Sequence, residues 1–184
     1  MMRQRLAEAT RAAHEALHLH PLLSKLTAPA ITLAEYLACL EVNRCFYREI
    51  ERSRRDCDAH PQLSLAQECD ALDADLRTHE PCRFRAELRS LDLAELLGAL
   101  YVAHGARFGR SMIARMLQGL PQERPMAFFG QRSQPDQWRD LLTRLDDAAD
   151  QPGAERRMIA GAETAFVFMA DLADEAETVA HPAV

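Results

Sequence analysis

Apolar residues recur along this chain at spacings of three and four, and nothing alternates with period two over a useful length. Leu6, Ala9, Ala13 and Leu17 form one stripe, which predicts a first helix over about Met2–Leu19. His20-Pro21 and Pro29 punctuate the connection that follows. Thr32 with Glu35 three residues on is a capping-box pattern. It predicts a long helix to about Cys57 through Tyr36, Leu37, Leu40, Phe46, Tyr47 and Ile50. Pro61 opens a third helix to about His79, and Pro81 closes the gap. A fourth helical region starts near Asp92 and runs through Gly105 and Gly109 to Leu117. Gly119, Pro121, Pro125 and Gly130 mark a loop carrying Phe128 and Phe129. A fifth helix is expected over Pro135–Asp147 around Trp138, and a last one from after Pro152-Gly153 to about Glu177. The end, His181 to Val184, reads as a frayed tail.

Composition supports that reading. Ala, Leu, Arg and Glu dominate, and these straight-chain residues and alanine lose little on entering a helix. With 184 residues and 48% hydrophobic residues the chain fits one domain with a sizeable core. The expected fold is therefore all-α, a single multi-helical bundle over residues 1–184. A net charge of -6 argues against nucleic-acid binding, which needs a basic face. No run of about 18 apolar residues is present, so no membrane span is expected. Met1 to Thr10 has no continuous apolar segment and does not read as a secretory signal. The five cysteines form no C-x-x-C pair, which fits reduced thiols in a cytoplasmic protein.

Two features carry candidate chemistry. His14 lies near the apolar stripe of the first helix, and a neutral imidazole there is either a metal or haem ligand or an ordinary core or surface histidine. His14 and His18, at i and i+4, have the spacing of a two-histidine chelate, although no H-E-x-x-H carboxylate accompanies them. The second feature is Gly105-x-x-x-Gly109 inside a helical run. Each glycine costs a helix up to about 1 kcal/mol relative to alanine. Something must therefore approach this backbone closely, either another helix in a small-xxx-small contact or a flat ligand. Di-iron carboxylate chemistry would need Glu-x-x-His pairs on facing helices, and only Glu15-x-x-His18 fits.

These residues together resemble the haem oxygenase family. Glu8-Ala9-Thr10-x-x-x-His14 looks like the segment that holds the proximal histidine. His20-Pro21-Leu22, then Ile31-Thr32-x-x-x-Tyr36-Leu37 and Phe46-Tyr47, are similar to bacterial members. Gly105-x-x-x-Gly109 resembles the distal helix whose backbone lies over the haem. Phe128-Phe129-Gly130, Trp138 and Thr164-Ala165-Phe166 follow in family order.

The resemblance implies haem as both cofactor and substrate, held between the first helix and the glycine-containing distal helix. It implies His14 as the iron ligand and Gly105 and Gly109 as the catalytic backbone elements. Arg139 and Arg11 are the implied propionate anchors. Phe166 is expected on the haem edge, with Tyr101 also in the cofactor-binding set. The implied reaction consumes dioxygen and electrons from a ferredoxin or NADPH-dependent reductase and yields biliverdin, carbon monoxide and ferrous iron. A homodimer is compatible with it.

Several positions depart from the family pattern, among them the bulky Phe108 and His104, which stands where an acidic or apolar residue is more usual. Arg110 stands where many members have a second glycine, and Ala106 where relatives place a polar residue that holds distal water. Both are expected at the cofactor. If Arg110 narrowed the pocket, the alternative reading is a protein that binds haem without cleaving it.

Overall fold

A computed structural model describes residues 1–81, 83–119, 124–132 and 134–180, with the side chains of 179 and 180 set aside. Pro121 and the expected tail at 181–184 lie outside the described residues. Eight α-helices are described: α1 Met2–Ala9, α2 Arg11–Leu19, α3 Leu33–Asp56, α4 Ala66–Asp75, α5 Leu93–Gly105, α6 Arg107–Gln118, α7 Pro135–Ala149 and α8 Ala154–Ala180. Two 3₁₀ turns, Leu23–Thr27 and Pro61–Leu63, complete the order, and no strand occurs among the described residues.

The all-α expectation holds, and so does the capping box at Thr32. The Glu35 amide donates to Thr32 Oγ1 at 3.2 Å and the Thr32 amide to Glu35 Oε2 at 2.8 Å. Asp92 caps α5 in the same manner with Glu95.

Three expected helices differ. The first is two helices that meet at Thr10, whose hydroxyl donates to the Leu6 carbonyl at 2.7 Å. Such back-bonding to residue i-4 bends a helix without a proline. The third is shorter than expected, because His60 takes a left-handed conformation and Pro61 opens only a single 3₁₀ turn. Glu51 then fixes the start of α4 by accepting from the Leu65 amide and the Ser64 hydroxyl. The fourth region breaks into α5 and α6 at Ala106, directly after Gly105, a residue type at which helices kink.

The core is built on α5 and α8, with α3 packed against both. Two glycines set their approach: a Cβ on Gly98 would lie 1.8 Å from the Met158 carbonyl oxygen, and one on Gly161 only 1.9 Å from that of Glu95. Phe46, Tyr47, Phe128 and Phe168 fill the adjoining space with ring centroids 5.4 to 6.3 Å apart along the series. α4 lies on α3, and α7 lies on α5. α1 leans on α7 and α8, and α2 on α8.

Candidate functional site

α2 is amphipathic, yet none of its side chains is fully buried. Ala13 and Leu17 are only partly covered by the core. Among the described residues its apolar stripe is thus only partly covered. His14 sits on that helix with its ring edge-on to Phe166 of α8, centroids 6.1 Å apart. One turn on, the His18 ring meets it at 4.5 Å, and the two Nε2 atoms are 3.3 Å apart. Partial burial, and then the neighbouring His18, lower the pKa of His14 below its ordinary value, with Glu15 opposing. His14 is therefore an uncharged imidazole at neutral pH, the form that ligates iron.

The backbone around the α5–α6 break is open on the glycine side. A Cβ on Gly105 would find only the Trp138 ring, at an ordinary 3.9 Å, and one on Gly109 would meet nothing within 4 Å. Among the described residues, only that Trp138 ring, from α7, comes within 4 Å of either added Cβ. The close helix contact that paired glycines suggest exists in the molecule, but at Gly98 and Gly161. α2 and α6 both rest on the 3₁₀ turn Leu23–Thr27, so the two amphipathic helices share one support. Along α6, Phe108, Met112 and Met116 recur every fourth residue and are 62%, 47% and 43% exposed. Tyr101 and Phe108 flank Trp138 with centroids at 5.7 and 5.1 Å. Burial raises the pKa of the half-buried Tyr101, with Arg3 opposing.

Arg110 does not point to the open side. It is buried and donates through Nη2 to Glu68 Oε1 at 2.8 Å and through Nη1 to Gln131 Oε1, with its guanidinium 4.8 Å from the Phe128 ring centroid. Arg107, three residues earlier on the same face, donates to the same Glu68 oxygen at 2.8 Å and to Gln137 at 2.6 Å. The face of α6 turned to the protein is thus anchored by two guanidiniums on one carboxylate. Ala106 stands exposed at the break. His104 is buried and its Nε2 lies 3.1 Å from the Leu63 carbonyl, to which it donates. Burial, followed by Arg107, pushes its pKa down to about 4.

The remaining expected residues lie nearer the surface. Arg139 is exposed and pairs with Asp136 one turn away on α7. Arg11 is exposed on α2, one turn before His14. His20 groups with Asp174 and Glu177 of α8 in a constellation with metal-ligand spacing. Its Nδ1 accepts from the Leu22 amide at 3.1 Å, so the proton of the neutral ring is on Nε2 and is donated to Asp174 at 3.0 Å. His20 therefore ties α2 to α8 and has no free lone pair for a metal.

The structure brings His14 to Phe166, and gathers Tyr101, Gly105, Phe108 and Trp138 at the break. It sends Arg110 elsewhere. Glu68, the anchor of α6, had no signal in the sequence. Gly98 and Gly161 had one, since both interrupt runs of helix formers.

No protein-family model and no curated protein matches the chain. Solved structures do match it. The haem oxygenase of Neisseria meningitidis, determined with NO and CO bound, gives a TM-score of 0.78 at 23% identity over 96% of this chain and 92% of that one. Haem oxygenase-1 of Synechocystis, in complex with haem, gives 0.69 at 15% identity over 97% and 93%. The haem oxygenase of Leptospira interrogans gives 0.68 at 15% identity over 95% and 98%. TM-scores of 0.68 to 0.78 over 95–97% of the chain establish that it has the haem oxygenase fold.

Proposed function

We propose that the protein binds haem between α2 and the α5–α6 break and cleaves it oxidatively. The observations that carry this reading are His14, its pKa lowered from the ordinary value, on a helix with a partly covered apolar face, and Gly105 and Gly109, where among the described residues an added Cβ would meet only the Trp138 ring at 3.9 Å. That donor set and that clearance fit a flat ligand with an iron at its centre. Bound there, haem would supply both the oxygen-activating iron and the ring to be cut, which with dioxygen and electrons from a ferredoxin or NADPH-dependent reductase would give biliverdin, carbon monoxide and ferrous iron.

This chain's own residues perform the rest. His14 would hold the iron through its imidazole. Gly105 and Gly109 would let backbone lie close to the ring. Phe166 packs beside His14 and limits its rotation. Arg11, exposed on the same helix, is placed to take a propionate, and Arg139 has only its exposed pair with Asp136 to give up for the same task. Residues 104–106 offer that face no acid or base. His104 is turned to Leu63 and stays neutral, and Gly105 and Ala106 carry no titratable group. Arg110, which would crowd a ligand if it turned to the open side, is committed to Glu68 instead, and this favours cleavage over binding alone.

The test is to add hemin to the purified protein, then ascorbate in air. A Soret band should form and then decay as a red-absorbing biliverdin band rises. A ferrous-oxygenated spectrum that persists would contradict cleavage. Failure of any Soret band to form would contradict binding.

A further inference from the structure

The His14–His18 pair has a property that haem ligation does not use. Both side chains project from one face of α2, one turn apart, and their Nε2 atoms converge to 3.3 Å. Two nitrogens bound to one tetrahedral zinc-like ion at about 2.0–2.1 Å lie about 3.3–3.4 Å apart. The separation is already that of a bidentate chelate. We infer that in the haem-free protein His14 and His18 bind a divalent transition-metal ion, in competition with haem for His14 Nε2. The Nε2 proton of whichever ring donates moves to that ring's Nδ1, so two neutral imidazoles take up the ion with no net proton released, at a separation the pair already has. Both histidines are exposed, which leaves the remaining coordination positions to water. The nearby group of His20, Asp174 and Glu177 is the weaker candidate, because the Leu22 amide occupies His20 Nδ1 and so keeps its proton on Nε2, a constraint that no described bond places on His14 or His18.

The chelate itself stands on this geometry alone, while its competition with haem rests on the haem-binding reading above. The consequence is a control point. Haem loading depends on the free metal concentration, and ferrous iron set loose beside His14 meets two nitrogens held at chelating distance.

The experiment uses the full-length, haem-free protein and Zn²⁺ alone, titrated against a chromophoric zinc indicator. Wild type should bind one ion, and His14→Ala and His18→Ala should each weaken that binding by about ten-fold or more. Asp174→Ala should leave it unchanged. His18→Ala should still give the Soret band with hemin, and zinc should slow hemin loading of wild type but not of His18→Ala. Both histidines are exposed on a helix, so circular dichroism should report intact folds. Wild-type zinc affinity no better than that of His18→Ala would overturn the inference, as would loss of binding only in Asp174→Ala. Hemin loading of wild type indifferent to saturating zinc would overturn the competition. Zinc binding through the pair with no Soret band on hemin addition would sink the haem reading while the metal site stood.

Discussion

Removing the Glu68 carboxylate should loosen α6 from the protein. Glu68 is 1% exposed, and its Oε1 accepts from both Arg107 and Arg110 at 2.8 Å. The two guanidiniums are themselves buried on the protein-facing side of α6, where Ala114 and Leu117 are the only fully buried apolar side chains. Glu68→Ala strands two positive charges away from water. Breaking a buried pair by deleting one partner costs about 3–5 kcal/mol. Against a total stability of about 5–15 kcal/mol, that is a large part of what holds the domain together. For a chain of this size each kcal/mol shifts Tm by about 2–4 °C, so a drop of about 6–20 °C is expected. Urea denaturation and thermal melting followed by far-ultraviolet circular dichroism read the loss directly. Replacing all three residues by methionine or leucine should recover much of it, since apolar side chains of similar volume need no partner. A loss below about 1 kcal/mol for Glu68→Ala, the size of an exposed ion pair, would refute the claim that this carboxylate anchors α6.

The glycines separate packing from ligand clearance. Gly161→Ala drives a methyl group into the Glu95 backbone and should cost at least about 1–3 kcal/mol in urea denaturation. Gly109→Ala meets nothing, so the haem-free protein should gain about 0.5–1 kcal/mol while hemin affinity falls in a Soret titration. His104 sets a pH dependence: its folded pKa of about 4 lies below the unfolded value of about 6.5. The unfolded chain therefore binds a proton in that window that the folded one refuses. The contribution is complete above pH about 6.5 and is lost as pH falls towards about 4, by up to about 3 kcal/mol. Urea midpoints measured across that range should flatten in His104→Gln.

How far the sequence carries depends on whether a feature is local. Helices α3, α7 and α8 were legible because the Thr32–Glu35 cap of the first, Pro135 at the start of the second, Pro152-Gly153 before the third and the apolar periodicity of each are all local. The break at Thr10 was not, since the backbone bonds run on through it: Thr10 donates to Leu6 and His14 to Thr10. A side-chain hydroxyl bends the helix there with no proline to announce it. Gly105 and Gly109 were legible as a place needing clearance, but not as to which neighbour was absent. That required seeing the tight helix contact at Gly98 and Gly161 instead. Arg110 misled because its neighbour Gly109 faces the open side, whereas the arginine pairs with a carboxylate 42 residues earlier. Pairings at that separation leave no mark in a single sequence.

The central claim is that this fold cleaves haem rather than merely holding it. Bleaching alone does not decide this, because free peroxide destroys haem without an enzyme. The decisive measurement is the carbon monoxide and biliverdin released per haem by the hemin-loaded protein in air, with ascorbate as reductant and catalase present to remove peroxide. One equivalent of each from wild type, with little from His14→Ala, is the predicted result. Wild-type bleaching that catalase abolishes, or that releases neither product, would contradict it.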